Sequence, residues 1–316
     1  MATSKICMKR LMIDRKRYNS MNSKELGIYC SFSDDNMYNV KAMIIGPKDT
    51  PYEGGFYFFD INFTPQYPML PPKVQFCTLN PHVRFNPNLY KCGKVCLSIL
   101  GTWSGPSWTT VMNLETILID LQSLMNDNPI QNEPGYESEI GSPAKVYKQL
   151  VGYYNLVVAQ FQMMEKTPPT FECFQEVMER HFIENTEFFD KWRKEYIPLN
   201  NEKLHSKYSG MREQFLTEYW STKIDSKVEQ LQFKYPDWNS NITVKSELEE
   251  VGESKVENND KNSETEAKTK NKTKPVRKCP NEAAKQFETG FTKEGIDGKL
   301  WVVKGYESGL KRWVKH

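Results

Sequence analysis

Two cysteines, Cys92 and Cys96, stand close together in Phe85–Leu100, which reads FNPNLYKCGKVCLSIL. Three chemistries suit such a stretch: a metal clip, a disulfide, or one working thiol beside a bystander. A tetrahedral metal site needs two further ligands at suitable spacing, and neither a CxxC pair nor a nearby histidine pair accompanies these thiols. No metal is therefore expected. The seven cysteines, at 7, 30, 77, 92, 96, 173 and 279, are odd in number and scattered, the pattern of reduced intracellular thiols rather than of a disulfide framework. Cys96 ends a polar irregular segment and opens the apolar run CLSIL, so its backbone can be anchored while its sulfur faces outward.

The elements that must position this stretch can be read on either side of it. Ile6–Tyr18 reads as a short amphipathic helix with a basic face. Strand-like runs follow at Ile28–Phe32, Met37–Ile45, Phe56–Phe63 and Lys73–Phe76, joined by segments rich in Gly, Pro, Asn and Asp. Four such runs with short connections predict an antiparallel meander. Asn80–Trp108 has no clean periodicity, and a long irregular stretch inside a compact domain is usually functional. Asn113–Met125 then places Leu114, Ile117, Leu118, Leu121 and Leu124 at helical spacing behind Asn113 as cap. Further helices are expected at Pro143–Lys166, Pro169–Glu184 and Glu187–Glu195, with a weaker helical pattern over Glu202–Phe233. The order is α+β.

Composition bounds what else the chain can be. A hydrophobic fraction of 38% and a mean hydropathy of −0.67 are low for one globule of 316 residues, so part of the chain is expected to be poorly packed. That part is residues 241–285, nearly all charged or amide side chains, which read as a disordered linker. The net charge of +2 argues against a general nucleic-acid binder. No apolar run reaches the length of a membrane helix, and the N-terminus lacks the apolar core of a secretory signal, so a cytosolic or nuclear protein is expected. Residues 1–165 read as the core, 166–240 as a helical extension and 286–316 as a small β module of two short strands around a turn.

Three motifs occur in order: GPKDTPYEGGFYFF (Gly46–Phe59), PQYPMLPPKVQF (Pro65–Phe76) and NPNLYKCGKVCLSIL (Asn86–Leu100). With the basic first helix they resemble the ubiquitin-conjugating enzymes, most closely a large subgroup with the downstream pattern LGTWSGPSWT…LQSLMNDNPIQNEPGYE. The likeness is strong over about the first 165 residues, weaker to 195, and absent after the linker.

This resemblance implies the family's fold and its chemistry, in which ubiquitin is carried as a thioester and passed to a lysine amine. The nucleophile is the cysteine of the element Gly93-Lys94-Val95-Cys96-Leu97, so Cys96 takes that role and Cys92 falls where the family fixes nothing. Such a thiol is expected to be exposed, since burial in apolar surroundings opposes the thiolate. The family's amide donor to the developing oxyanion closes a His-Pro-Asn triplet. Here the triplet is Asn86-Pro87-Asn88, which gives Asn88 the donor role at the family's spacing from Cys96, or else a loop-bracing one. Asn86 in place of histidine is expected to shape the loop. Glu133, before Pro134 in NEPG, is implied as the gate carboxylate that orients the incoming amine and takes its proton.

Partner surfaces follow by the same likeness. Lys9, Arg10 and Arg15 would meet an activating enzyme, unless they form only a solvated basic face. Met69 and Leu70, with Thr110 and Val111, stand where the family docks ligases. Trp108, Tyr52, Tyr67 and the Pro71-Pro72 pair read as packing residues, and His82 as a solvated loop residue. Ser98 departs from the acidic residue many relatives place two positions after the nucleophile. ATP is consumed by the activating enzyme, so no cofactor of the chain's own is implied.

Two alternatives stay beside this reading. The chain could be a silent relative that binds ubiquitin or ligases as a scaffold. Its aromatic and basic tail could dock a protein or a nucleic acid. The tail pattern DGKLWVV…GLKRWVK is also similar to short C-terminal modules of large DNA virus proteins, which implies action in host cytoplasm.

Overall fold

Alternating apolar side chains build the sheet from both sides. The computed structural model describes residues 2–33 and 35–238, and beyond them 288–289, 292–294, 299–305 and 311–315. Strands β1 (Ile28–Phe32), β2 (Asn39–Ile45), β3 (Phe56–Asn62) and β4 (Lys73–Phe76) form one antiparallel sheet in chain order. The register runs from Ile28 opposite Ile44, through Ile45 opposite Phe56, to Asn62 opposite Lys73. This is the expected meander.

β3 shows why the strand reads as a continuous apolar run. Phe56, Tyr57, Phe58 and Phe59 are all fully buried, and successive side chains leave opposite faces of the sheet. On one face Phe58 meets Phe171 at 4.9 Å between ring centroids, and Phe56 meets His181 at 6.0 Å. On the other, Tyr57 packs edge-on against Phe85 at 5.4 Å, and Phe59 lies 5.5 Å from Phe76. Phe85 opens the cysteine-bearing segment, so β3 is the wall on which that segment rests.

Helix α1 spans Ala2–Ser20, longer than expected at both ends. Helix α2 (Leu114–Ser123) starts from a capping box: the Asn113 side chain accepts from the Thr116 N–H at 3.0 Å, and the Thr116 hydroxyl accepts from the Asn113 N–H at 3.4 Å. Such a cap is worth about 1 kcal/mol. The expected helix over Pro143–Lys166 is a composite: α3 (Ser142–Tyr154) widens into a π-helical run over Asn155–Gln162 and closes with the turn α4 (Met163–Glu165). Asn155 anchors that run. Its side chain donates to the Glu53 carbonyl at 2.8 Å and accepts from the Tyr57 hydroxyl at 2.6 Å. A Cβ on Gly55 would stand 1.9 Å from the Asn155 Oδ1, so only glycine fits there.

Helices α5 (Gln175–Glu184) and α6 (Thr186–Tyr196) follow near their expected places. The expectation of helix over Glu202–Phe233 is corrected in its first third. A hairpin of β5 (Lys203–His205) and β6 (Arg212–Gln214) precedes α7 (Thr217–Lys234). Ser206, Ser209 and Gly210 are turn formers, and Gly210 takes the left-handed φ of 70°. Apolar residues of the later segments, among them Phe171, Met178, Trp192, Phe215 and Leu231, belong to the same hydrophobic core as the sheet.

The C-terminal unit has three strands, not the two expected. β7 (Thr292–Glu294), β8 (Leu300–Gly305) and β9 (Lys311–Lys315) pair antiparallel, with Trp301 opposite Lys293 and Lys315. The linker expectation for residues 241–285 lies outside the described residues.

His181 gives the core a pH dependence. Burial, and then the nearby positive charge of Lys48, push its pKa down from 6.5 to about 4. Its Nε2 is buried without a hydrogen-bond partner. The unfolded chain takes up this proton first, so the contribution is complete above about pH 6.5 and is lost as pH falls toward the folded value. Urea titrations are expected to show stability falling by on the order of 2–3 kcal/mol between about pH 6.5 and 4 from this group. His181→Phe should remove that component of the slope.

Candidate active site

The cysteine-bearing segment is fastened to the sheet by its own backbone. The Phe76 N–H donates to the Gly93 carbonyl at 2.8 Å, which ties the loop to the end of β4. Gly93 sits at φ 87°, and a Cβ there would stand 2.9 Å from the Phe76 carbonyl oxygen. Gly93, three residues before Cys96, is thus a packing requirement. Val95, Leu97 and Ile99 are buried and anchor the run as expected. The Thr102 hydroxyl donates to the Val95 carbonyl at 2.8 Å and accepts from the Leu97 N–H at 3.0 Å.

Asn88 grips Cys96 from both sides. Its main-chain carbonyl accepts from the Cys96 N–H at 2.9 Å, while its side-chain amide donates to the Cys96 carbonyl at 2.8 Å. The Asn88 Oδ1 is buried without a hydrogen-bond partner. One amide hydrogen braces the loop, and the amide carries a second.

Asn86, the departure from histidine, shapes the loop through four hydrogen bonds. Fully buried, it donates to the Tyr52 hydroxyl at 2.8 Å and to the Leu124 carbonyl at 2.7 Å. It accepts from the Asn88 N–H at 2.9 Å and from the Asn132 amide at 3.3 Å. Tyr52 donates onward to the Phe85 carbonyl at 2.7 Å. Asn86 therefore links the cysteine segment to the end of α2 and to the loop that carries Glu133. Asn86→Ala would strand several buried partners and is expected to cost about 2–4 kcal/mol, read as a lower urea midpoint.

The thiol itself differs from expectation. Cys96 is buried, at 1% exposure, rather than facing outward. Burial raises its pKa above the usual 9.0, opposed in turn by Lys94, a hydrogen bond from Tyr90, and Arg84. The resting group at neutral pH is the thiol, with two cations and a phenol placed to favour the thiolate once it forms. Cys92 is exposed, and the six cysteines among the described residues are all free thiols. No group of three or more His, Cys, Asp or Glu side chains among the described residues could hold a metal ion.

The Glu133 carboxylate does not stand alone. Its Oε2 accepts from Arg84 at 3.4 Å and from the Tyr208 hydroxyl. Arg84 also donates to the Pro87 carbonyl at 2.6 Å, and its guanidinium lies 4.5 Å from the Tyr90 ring centre. Arg84, Tyr90 and Tyr208 were not singled out in the sequence. Arg84 and Tyr90 flank the Asn-Pro-Asn triplet, and proximity alone was the available signal. Tyr208 lies in HSKYSGM, where the Ser and Gly turn formers signal a loop inside an apparent helix.

Among the surface residues, Arg10 is turned inward rather than presented on a basic face. It pairs with buried Asp14 at 2.8 Å and donates to the carbonyls of Thr110 at 2.8 Å, Val111 at 3.3 Å and Met112 at 2.5 Å. Asp14 in turn accepts from the Tyr67 hydroxyl. Lys9 is exposed, and the Arg15 guanidinium lies 5.1 Å from the Phe32 ring centre. Met69, Leu70 and Val111 are exposed at 61%, 54% and 78%, with Thr110 exposed beside them. Trp108 joins the two loops from behind, donating from its indole to the Pro68 carbonyl at 2.7 Å. It packs, as do Tyr52 and Tyr67. His82 is an exposed loop residue, as expected.

Comparison with known proteins bears on this site. Residues 10–161 match the family described as ubiquitin-conjugating enzyme. The chain is 42% identical over 182 residues to ubiquitin-conjugating enzyme E2 Z of Homo sapiens, covering 57% of this chain and 51% of that protein. It is 40% identical over 191 residues to the enzyme of the same name from Xenopus tropicalis, covering 60% of this chain and 61% of that one. A putative ubiquitin-conjugating enzyme E2 39 of Arabidopsis thaliana is 42% identical over 136 residues, 39% of this chain and 42% of that protein. The chain spans about half the length of the curated relatives it matches.

Proposed function

Through residues 10–161 the chain is a member of the ubiquitin-conjugating enzyme family, and from that premise we propose that it accepts ubiquitin, or a ubiquitin-like protein, from an activating enzyme as a thioester on Cys96. It then passes the modifier to a lysine amine, with or without a ligase. The observation that carries this reading is the double grip of Asn88 on the Cys96 main chain, which fixes a nucleophile and an oxyanion donor in one unit.

In the charging step the Cys96 sulfur attacks the thioester carbonyl that the activating enzyme presents. A new C–S bond forms to Cys96 as the activating enzyme's own C–S bond breaks, its electron pair going to that enzyme's sulfur. That sulfur takes up the proton Cys96 loses, directly or through solvent, and Lys94, Arg84 and Tyr90 favour the passing thiolate. In the transfer step a neutral amine attacks the new thioester. Asn88 stabilises the oxyanion, and Glu133 orients the amine and takes its proton. ATP is spent by the activating enzyme, so the chain needs no cofactor of its own. The cytoplasm or nucleus, where thiols stay reduced, suits six free cysteines.

Activating-enzyme contact is assigned to α1, through Lys9, Arg10 and Arg15, of which Arg10 also pairs with Asp14. Ligase docking is assigned to the exposed Met69, Leu70, Thr110 and Val111. The test is incubation with activating enzyme, ATP and ubiquitin, followed by a non-reducing gel. A thiol-sensitive adduct is expected. Its absence with every activating enzyme and modifier tried would sink the proposal in favour of a silent scaffold.

A further inference from the structure

The hairpin of β5 and β6 reaches the catalytic cluster from a part of the chain with no evident chemical role. Its tip is rigid. The Gly210 N–H donates to the Ser206 carbonyl and the Ser206 N–H to the Met211 carbonyl, each at 2.9 Å. The Ser209 N–H donates to the Ser206 hydroxyl at 3.2 Å. Ser206 and Met211 are buried, and the Met211 sulfur accepts from the Arg84 N–H at 3.4 Å.

That tip presents Tyr208. Its ring lies 5.2 Å from both Tyr136 and Tyr147, edge-on to the latter, and the Arg84 guanidinium stands 5.8 Å from its centre. Its hydroxyl donates to the Glu133 Oε2. Burial first, and then that carboxylate, raise the phenol's pKa well above 10. Tyr208 keeps its proton and acts as a donor throughout the working pH range.

We propose that Tyr208 is a positioning residue for lysine transfer: together with Arg84 it fixes the Glu133 carboxylate beside the Cys96 thioester. The inference deepens the proposed function and rests on it. Both bonds fall on Oε2, so Oε1 is the oxygen assigned to the amine. In the step, the lysine nitrogen lone pair forms the new C–N bond and the C–S bond breaks, its electron pair going to the Cys96 sulfur. The proton lost by the attacking nitrogen passes to Glu133 and then to the released thiolate or to solvent. A carboxylate on a loop must be held still to do this, and a small displacement of such a group costs up to about a hundredfold in rate.

The test uses the full chain carrying Tyr208→Phe, which keeps the ring contacts and removes only the hydroxyl. Protein charged with ubiquitin is mixed with increasing free lysine, and in parallel with hydroxylamine, which is neutral at pH 7 and needs no such base. The maximal rate of discharge to lysine is expected to fall roughly ten- to a hundredfold, while half-saturation by lysine and discharge to hydroxylamine change by less than about twofold. Unchanged discharge to lysine overturns the inference, as does an equal fall with both nucleophiles, which would mark a merely structural role. Failure of the parental chain to charge at all overturns the proposed function as well, so the two failures are told apart at the loading step.

Discussion

Cys96→Ala is expected to form no thiol-sensitive ubiquitin adduct, while Cys92→Ser charges at close to the parental rate. The two sulfurs are neighbours in sequence but not in environment. Cys96 is buried among Lys94, Tyr90 and Arg84, with its backbone held by Asn88, whereas Cys92 is an exposed thiol. Cys96→Ser should sharpen the result. A serine in the same grip would form an oxygen ester, so any adduct should survive reducing agent. Non-reducing and reducing gels of the three variants read all of this. An adduct retained in Cys96→Ala would move the site elsewhere.

Asn88→Ala is expected to leave charging largely intact and to slow transfer to lysine by about 10²–10³, the range seen when one oxyanion donor is removed. The structure complicates this in a useful way, because Asn88 also braces the Cys96 carbonyl. Asn88→Asp removes both roles at nearly unchanged shape, and the two readouts separate them. It is nearly isosteric but has no N–H to donate, and its charge would oppose both the oxyanion and the carbonyl. Single-turnover discharge of charged protein gives the rate, and a urea midpoint gives the stability. If Asn88 only braced the loop, charging, transfer and stability would fall together. If it donates, transfer falls far more than charging.

Much of this site was legible in the residues. The glycine, the apolar run after Cys96 and the spacing back to Asn88 are local features, and local backbone bonds enforce them. The outward-facing sulfur was not borne out. Burial of Cys96 depends on what packs over the segment, and no residue next to it in sequence reports that. Arg10 is a similar case: its charge reads as surface, but buried Asp14 four residues later and the carbonyls of 110–112 draw it inward. Tyr208 was hidden for a different reason. A three-residue strand carries too little alternation to compete with the helical pattern of α7 beside it. In the fold, strands with β-branched and aromatic runs were read to within two residues, whereas the widening of α3 over Asn155–Gln162 left no periodic trace.

The face of β3 that meets Phe171 and His181 has a consequence for how this protein can be cut and recombined. The family match stops at residue 161, inside the continuous run from Ser142 to Glu165. The aromatic rings that cover Phe58 and Phe56 come from residues beyond that point. A fragment trimmed to the recognisable segment would expose a phenylalanine-lined sheet to water and would be prone to aggregate. Exchanging the catalytic half with that of a relative would likewise need the later helices to travel with it, because the ancestry of the sequence and the unit of folding have different edges.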